Sequence, residues 1–448
     1  MRRIAIIGSG IAGLSSAWHL SAPGSDCRVT LYEAGDYLGG HTHTVDVTLP
    51  GPDGRAHTQG VDTGFLVFNH RTYPELLKLF AELRVDTAPS DMSFSVQAEQ
   101  GRLEWSGCNL DTVFAQRTNL FSPRFLGMLR ELLRFNRRTT ALARSGSEAQ
   151  LAQSIGDFLD AERFSDTFRR WYFLPMIGCI WSCPTEQMLK FPIATMIRFC
   201  HNHGLLQVSD RPQWHTVLGG ARHYVEKIAA RLPDVRLSTP VHAVRRLPEG
   251  GVIVTAADGE ARYDEVVLAC HSDQSLRLLG TDASADERAV LGAIRYHPNR
   301  AVLHTDEGQL PQRRKAWAAW NYEHAGDAGR ERSGVCLHYL LNRLQPMPWT
   351  QPVIVSLNPV RQIRREHILG EYDYSHPVFD LAAIEAQRRL PAIQGRRHTW
   401  FCGAWTGYGF HEDGLKSGLA VVAALRERAA DAGPHLKLVR PVSAAEAA

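Results

Sequence analysis

Near the start of the chain the run Gly8-Ser9-Gly10-Ile11-Ala12-Gly13 spaces three glycines as G-x-G-x-x-G, and an acid, Glu33, stands twenty positions beyond the last of them. Glycine at 8 permits a tight turn, and Gly10 lets the backbone approach a diphosphate without an obstructing Cβ. Gly13 lets a helix pack closely on a strand, while Ile11 and Ala12 open that helix, whose free N–H groups favour phosphate. Glu33, followed by Ala34, is spaced to accept the hydroxyls of an adenosine ribose, and its charge would repel a 2′-phosphate. This is the chemistry of a dinucleotide site, and these residues alone leave NAD and FAD both open.

Glycines at this spacing occur by chance in loops, so the surrounding elements decide whether the motif means anything. Residues 3–7 form a short, β-branched apolar run that reads as a buried parallel strand. A helical stretch, Leu14–Leu20, follows the glycines, and a second strand, Arg28–Tyr32, ends at Glu33. Strand, glycine loop, helix, strand and acid therefore come in the required order within about 30 residues. The fold class expected is α/β, with a Rossmann-like parallel sheet.

Composition narrows the rest. The chain has 448 residues, 44% hydrophobic and 22% charged, an ordinary globular balance that argues against disorder. Lysine and arginine exceed the acids by only 50 − 47 = 3, so no overall basic field draws it to nucleic acid. Eight cysteines are too sparse for a disulfide scaffold, and the close pair Cys179 and Cys183 has no second pair at metal-site spacing. The 20 histidines form no spaced cluster either, so no metal site is expected. No stretch of 18 apolar residues occurs, and the apolar run after Arg3 is too short for a signal peptide. The expectation is a cytoplasmic protein; its oligomeric state is not legible.

A second glycine pair, Gly39-Gly40, follows the acid within Ala34-Gly35-Asp36-Tyr37-Leu38-Gly39-Gly40-His41. A strand, a glycine-aromatic loop and a helix also close the chain, in Trp400–Gly414 and on through Leu415-Lys416-Ser417-Gly418. With the first motif, these blocks resemble the FAD-dependent amine oxidase/desaturase superfamily, including protoporphyrinogen oxidases and carotenoid desaturases, over roughly residues 1–425. The resemblance implies FAD as cofactor and a Rossmann-like FAD-binding domain interleaved with an α+β substrate domain of amine-oxidase type. The implied segments are 1–80, 210–290 and 395–428 for the first and 81–209 and 291–394 for the second, with a flexible tail at 429–448.

It also implies a set of cofactor-binding positions. Gly39, Gly40 and His41 approach the diphosphate, although the family usually has arginines where Leu38 and His41 stand. Gly64 and Phe65, in Asp62-Thr63-Gly64-Phe65, would pass beside the flavin ring, and the backbone of Val241 would hold the adenine. Gly403 and Ala404 would meet the ribityl chain, with Ala404 where an acid is common. Asp413, Gly414 and Leu415 would open a helix whose positive end faces the flavin carbonyl. His411, Glu412 and Lys416 flank that loop and are the catalytic candidates, as groups able to exchange protons. Lys315, a candidate for the lysine of amine oxidases, has basic neighbours that suggest an exposed loop.

Two further stretches bear on substrate. Residues 115–145 read as a basic amphipathic helix, with seven arginines against Glu131 alone and Arg130, Arg134 and Arg138 recurring on one face. Such a helix suits anionic lipid headgroups, as a peripheral contact at the inner membrane face, or it is a cap helix with a solvated face. The aromatic run Phe168–Trp181 reads as core or as the wall of a hydrophobic channel. The runs Arg295–Asp306 and Trp317–Tyr322 are similar to a bacterial NAD/FAD-binding subgroup linked to cyclopropane or methylated fatty-acid synthesis. The reading is an FAD oxidoreductase that removes hydride from a C–H bond of an apolar substrate, a modified fatty-acyl chain. An amine oxidase producing imine and peroxide, and a flavin-binding protein without turnover, are the alternatives.

Overall fold

In the computed structural model, which describes residues 1–146, 151, 153–207, 211–324 and 335–431, the first strand lies at the centre of a parallel sheet. Strand β1 (Arg2–Ile7) pairs with β2 (Cys27–Tyr32) on one side and with Glu265–Leu268 on the other. Val235–Arg236 and Thr399–Phe401 complete five parallel strands, contributed by three separate parts of the chain. Ile4, Ala5 and Ile6 are wholly buried, which is why this strand reads as a continuous apolar run. Helix α1 (Ile11–Leu20) crosses from β1 to β2 and packs against the last described helix, His411–Asp431.

A second, mixed sheet of seven strands carries Phe94–Ala98, Leu103–Ser106 and the strands between Arg295 and Val378. The hairpin Thr44–Pro50/Ala56–Asp62 turns at the expected Pro-Gly cluster, and Val252–Ala256/Gly259–Tyr263 turns at Asp258-Gly259. Where the meander carrying Val252–Ala256 meets the parallel sheet, Arg246 is buried and donates twice to Glu287, at 2.9 and 3.0 Å, and once to Thr399 Oγ1 at 3.0 Å.

Helix α2 (Pro74–Leu83) lies against the final helix, and α3 (Pro123–Ser145) spans the basic stretch. The charge pattern of α3 differs from the sequence expectation. Arg134 donates to the Glu162 carbonyl at 3.0 Å and lies over the Phe164 ring, and Arg138 donates to the Glu162 carboxylate at 2.8 Å. A loop distant in sequence thus supplies the missing acid, and the three arginines do not form one free face. The final helix runs to Asp431, past the expected start of the tail; residues 432–448 lie outside the described residues.

Candidate active site

A cavity of about 840 Å³ lies between the parallel sheet and the seven-stranded sheet. One arm is built by the glycine motif. The Cβ that residue 10 lacks would have no atom within 4 Å, so Gly10 faces open space in the cavity wall. At Gly13 the same atom would lie 1.9 Å from the Gly8 carbonyl oxygen, so this glycine sets the close approach of α1 to its strand and lies off the cavity wall. Gly39 donates its N–H to the Ser9 carbonyl and pairs with Gly10 as an isolated bridge, so the second glycine pair closes over the first.

Glu33 is held in advance. Its carboxylate accepts from Ser9 N at 2.9 Å, Ser9 Oγ at 2.5 Å and Gly35 N at 2.9 Å. Ser9, the variable position inside the motif, thus orients the acid, a role the spacing could not show. Ile11, Ala12, Ala34, Gly40, His41, Val241, Gly403 and Ala404 all line the cavity with it. Gly64 and Phe65 line it too, but Gly64 is required for another reason. A Cβ there would lie 2.2 Å from the His41 carbonyl oxygen, to which Phe65 N donates at 2.7 Å.

His41 stands beside His376 and Tyr374, with ring centroids 5.2 and 5.0 Å away, and its Nε2 is buried with no hydrogen-bond partner. Burial, then the neighbouring imidazoles, pushes it well below the ordinary histidine range. His376 is lowered to about 4 by burial; its Nδ1 accepts from Asn299 Nδ2 at 2.8 Å, which leaves its proton on Nε2. The strand register His297↔His376 brings this group together across long sequence separation, so no local motif announces it.

The closing helix sorts the catalytic candidates. His411 lines the cavity, stacked on Phe65 with centroids 3.8 Å apart, and its Nε2 is 2.7 Å from Tyr224 Oη. Thr42 Oγ1 lies 2.5 Å from the same hydroxyl. Burial lowers His411 to about 3, so a neutral imidazole faces the cavity. Glu412 points the other way, accepting from Glu75 N and Leu76 N at 3.0 Å each, and so caps α2. Lys416 pairs with Glu412 at 3.3 Å and is half exposed; neither residue lines the cavity. Lys315 pairs with Asp111 and is exposed.

Asp413, Gly414 and Leu415 also lie off the wall. The helix starts at His411, two residues earlier than expected, because Asp413 accepts from Tyr408 N and Phe410 N at 3.0 Å and folds the preceding loop onto the first turn. Burial raises Asp413 to about 6. Gly414 allows close packing on Ile11, whose Cγ2 would be 2.8 Å from a Cβ, and Leu415 is core.

The other arm of the cavity is apolar. A single turn of π-helix, Arg169–Phe173, leads into Leu174–Trp181 and rotates it so that Phe173 and Ile177 are core. Met176, Cys179, Ile180 and Trp181 then face the cavity, which Met92, Phe94, Phe199, Leu205 and Trp214 also line. The aromatic run is therefore both core and wall, divided by helix face. Among the described lining residues the charged side chains are Glu33 and Arg277, both on the glycine-motif side near Val241, and there is no lysine.

Glu323, Cys336 and His338 do meet elsewhere, in the seven-stranded sheet, with ligand atoms within 4.8 Å of one another. Their hydrogen-bond directions close without an ion. Asp306 N donates to His304 Nδ1, which leaves His304 Nε2–H to donate to Ser356 Oγ at 2.6 Å. The Ser356 hydroxyl then donates to His338 Nδ1 at 2.6 Å, and His338 Nε2–H to Glu323 at 2.9 Å.

The model of the flavin containing amine oxidoreductase family matches residues 11–310, two thirds of the chain. The protein belongs to this family. A carotenoid phi-ring synthase from Streptomyces griseus is 30% identical over 336 residues, 68% of this chain. The chain spans 62% of the length of that relative. Cyclohexylamine oxidase from Brevibacterium oxydans IH-35A has the same fold, with a TM-score of 0.68 at 15% identity over 96% of this chain and 99% of that one. A CLA-producing fatty acid isomerase from P. acnes does so with a TM-score of 0.65 at 16% identity, over 94% and 98%. Both identities are low enough to speak for the fold alone.

FAD is the cofactor of the family, and the cavity suits it. The open cradle at Gly10, the pre-set Glu33 carboxylate and the orphaned His41 Nε2 all belong to the glycine-motif side of the cavity, where they offer room and polar groups for a diphosphate and a ribose.

Proposed function

We propose that the chain is an FAD-dependent oxidoreductase that removes hydride from a C–H bond of a long apolar substrate, a modified fatty-acyl chain. The apolar arm carries this reading: it offers an aliphatic and aromatic wall and, among the described residues, no carboxylate to recognise an ammonium group. The names of two similar proteins, a carotenoid phi-ring synthase and a fatty acid isomerase, point to substrates of the same extended, apolar kind.

Gly10, Glu33, Gly39, Gly40, His41 and Val241 would hold the adenosine diphosphate portion, and Phe65, Gly403, Ala404 and His411 would face the flavin end. When bound, the flavin supplies the hydride acceptor. The protein's share is positioning. Trp181, Phe199 and Trp214 exclude water and hold a chain in extended register, while His411, fixed by Phe65 and Tyr224 and kept neutral by burial, presents an uncharged ring to the cavity. Glu412 and Lys416 serve as cap and surface pair.

The test is anaerobic mixing of the purified yellow protein with acyl chains and, separately, with mono- and diamines. Bleaching of the visible flavin band by an acyl chain supports the reading. Bleaching by amines alone overturns it in favour of amine oxidation.

A further inference from the structure

We propose that the face formed by Leu110, Leu120, Phe121 and the outer stripe of α3 is a docking surface for an anionic phospholipid membrane. Phe121 is 85% exposed and Leu110 78%, followed by Leu133 at 59%, Leu126 at 44% and Leu120 at 42%. Large apolar side chains this exposed are otherwise scattered singly over the described chain, and here five of them fall within 24 residues.

Their arrangement selects the occupant. Leu126, Arg130, Leu133 and Arg137 are spaced by four, three and four residues, so they form one stripe along the helix with apolar and basic side chains alternating. All four are exposed. Arg124 lies over the Trp171 ring beside them. Among the described residues, the acids nearby are already engaged: Asp111 by Arg117 and Lys315, Glu131 by Ser165 and Arg134. What remains outward is positive charge interleaved with leucine and phenylalanine, which matches the boundary between anionic headgroups and acyl chains. The free stripe is not the Arg130/Arg134/Arg138 face, two of whose members are tied to Glu162.

The inner side of α3, with Phe125, Met128 and Phe135 buried, packs on helix Ile193–Asn202, whose Phe199 lines the apolar arm of the cavity. The docking face is thus one helix layer from that arm. Its purpose, access of an apolar substrate from the bilayer, rests on the function proposed above; its existence does not.

The experiment is flotation of the full-length yellow protein with phosphatidylcholine vesicles, with and without phosphatidylglycerol. Wild type is expected to float with phosphatidylglycerol vesicles and to dissociate as salt rises. The Arg130→Glu/Arg137→Glu variant should bind at least about tenfold more weakly, since each basic residue contributes about 1 kcal/mol at such a surface. Phe121→Ser should weaken binding too, while Arg388→Glu, an exposed reversal elsewhere, should bind as wild type. Unchanged flavin content and circular dichroism verify that the variants fold. Failure of wild type to float, or equal flotation of the double reversal, overturns the proposal. So does a wild-type dimer that Leu133→Asp converts to monomer, because a second copy would then cover the face. Vesicle binding needs no turnover, so docking without acyl-chain bleaching would sink the substrate reading and leave this one standing.

Discussion

Replacing Gly10 by valine separates the protein's own needs from the cofactor's. Gly10 has φ −61° and ψ 174°, an extended backbone that any L residue adopts, and its missing Cβ would meet nothing within 4 Å. The protein therefore has room for a Cβ at this position, and the isopropyl group projects into the cavity that Gly10 lines. A diphosphate there would lose two charge-assisted hydrogen bonds to backbone N–H groups, at about 1.5–3 kcal/mol each. The loss of about 3–6 kcal/mol weakens FAD binding by about 10²–10⁴-fold. The assay is the ratio of flavin to protein absorbance in the purified variant, with free-flavin fluorescence followed on dilution. Gly10→Val should purify colourless, with an unchanged circular dichroism spectrum. Gly13→Ala makes the contrast: its Cβ would sit 1.9 Å from the Gly8 oxygen, against 3.4 Å for ordinary contact, so α1 must move by 3.4 − 1.9 = 1.5 Å. That variant should lose folded yield as well as colour. A yellow Gly10→Val protein with wild-type affinity would refute the reasoning and move the diphosphate off this loop.

Other outcomes follow from the same geometry. Glu412→Ala removes both acceptors of the α2 cap and should lower stability by about 2–4 kcal/mol, read as a urea midpoint shift, with Lys416→Ala within about 0.5 kcal/mol of wild type. Neither should slow flavin bleaching by substrate, and a large rate loss in Lys416→Ala would restore its catalytic reading. His203 and His376, both lowered to about 4 by burial, stay neutral in the folded protein where an unfolded imidazole takes up a proton below about 6.5. The unfolded state then binds more protons, so stability should fall as pH drops from about 6.5 towards 4, by up to about 1.4 kcal/mol per pH unit for each. Urea midpoints that do not change between pH 7 and 5.5 would contradict this. Arg246→Met leaves Glu287 buried without its partner and should cost about 3–5 kcal/mol, most of it recovered in Arg246→Met/Glu287→Leu; equal stability of the two variants would show the pair is not coupled.

The nucleotide arm was legible because its requirements are local. Gly8, Gly10, Gly13 and Glu33 sit on consecutive elements, β1, α1 and β2, and backbone geometry over that short span ties residue type to position. The helical nature of 123–145 and the turns at Gly51 and Gly259 were readable for the same reason, as periodicity and turn chemistry. Side-chain direction at the closing helix was not. His411, Glu412 and Lys416 are near neighbours in sequence, but successive helical residues point about 100° apart, so the first faces the cavity and the second caps another helix.

The amino-acid sequence by itself determined the α/β class and the dinucleotide motif, since each rests on residues close along the chain, and the family, since each of the blocks that carry it is a short local pattern. Tertiary structure alone decided which charges remain free and which polar groups meet. Glu162 neutralises Arg138 from 24 residues away, His376 reaches His41 across the join of two sheets, and Ser356 links His304 to His338. Such partners are set by strand register and helix packing, where a one-residue slip turns a side chain to the opposite face, and no local pattern encodes that outcome.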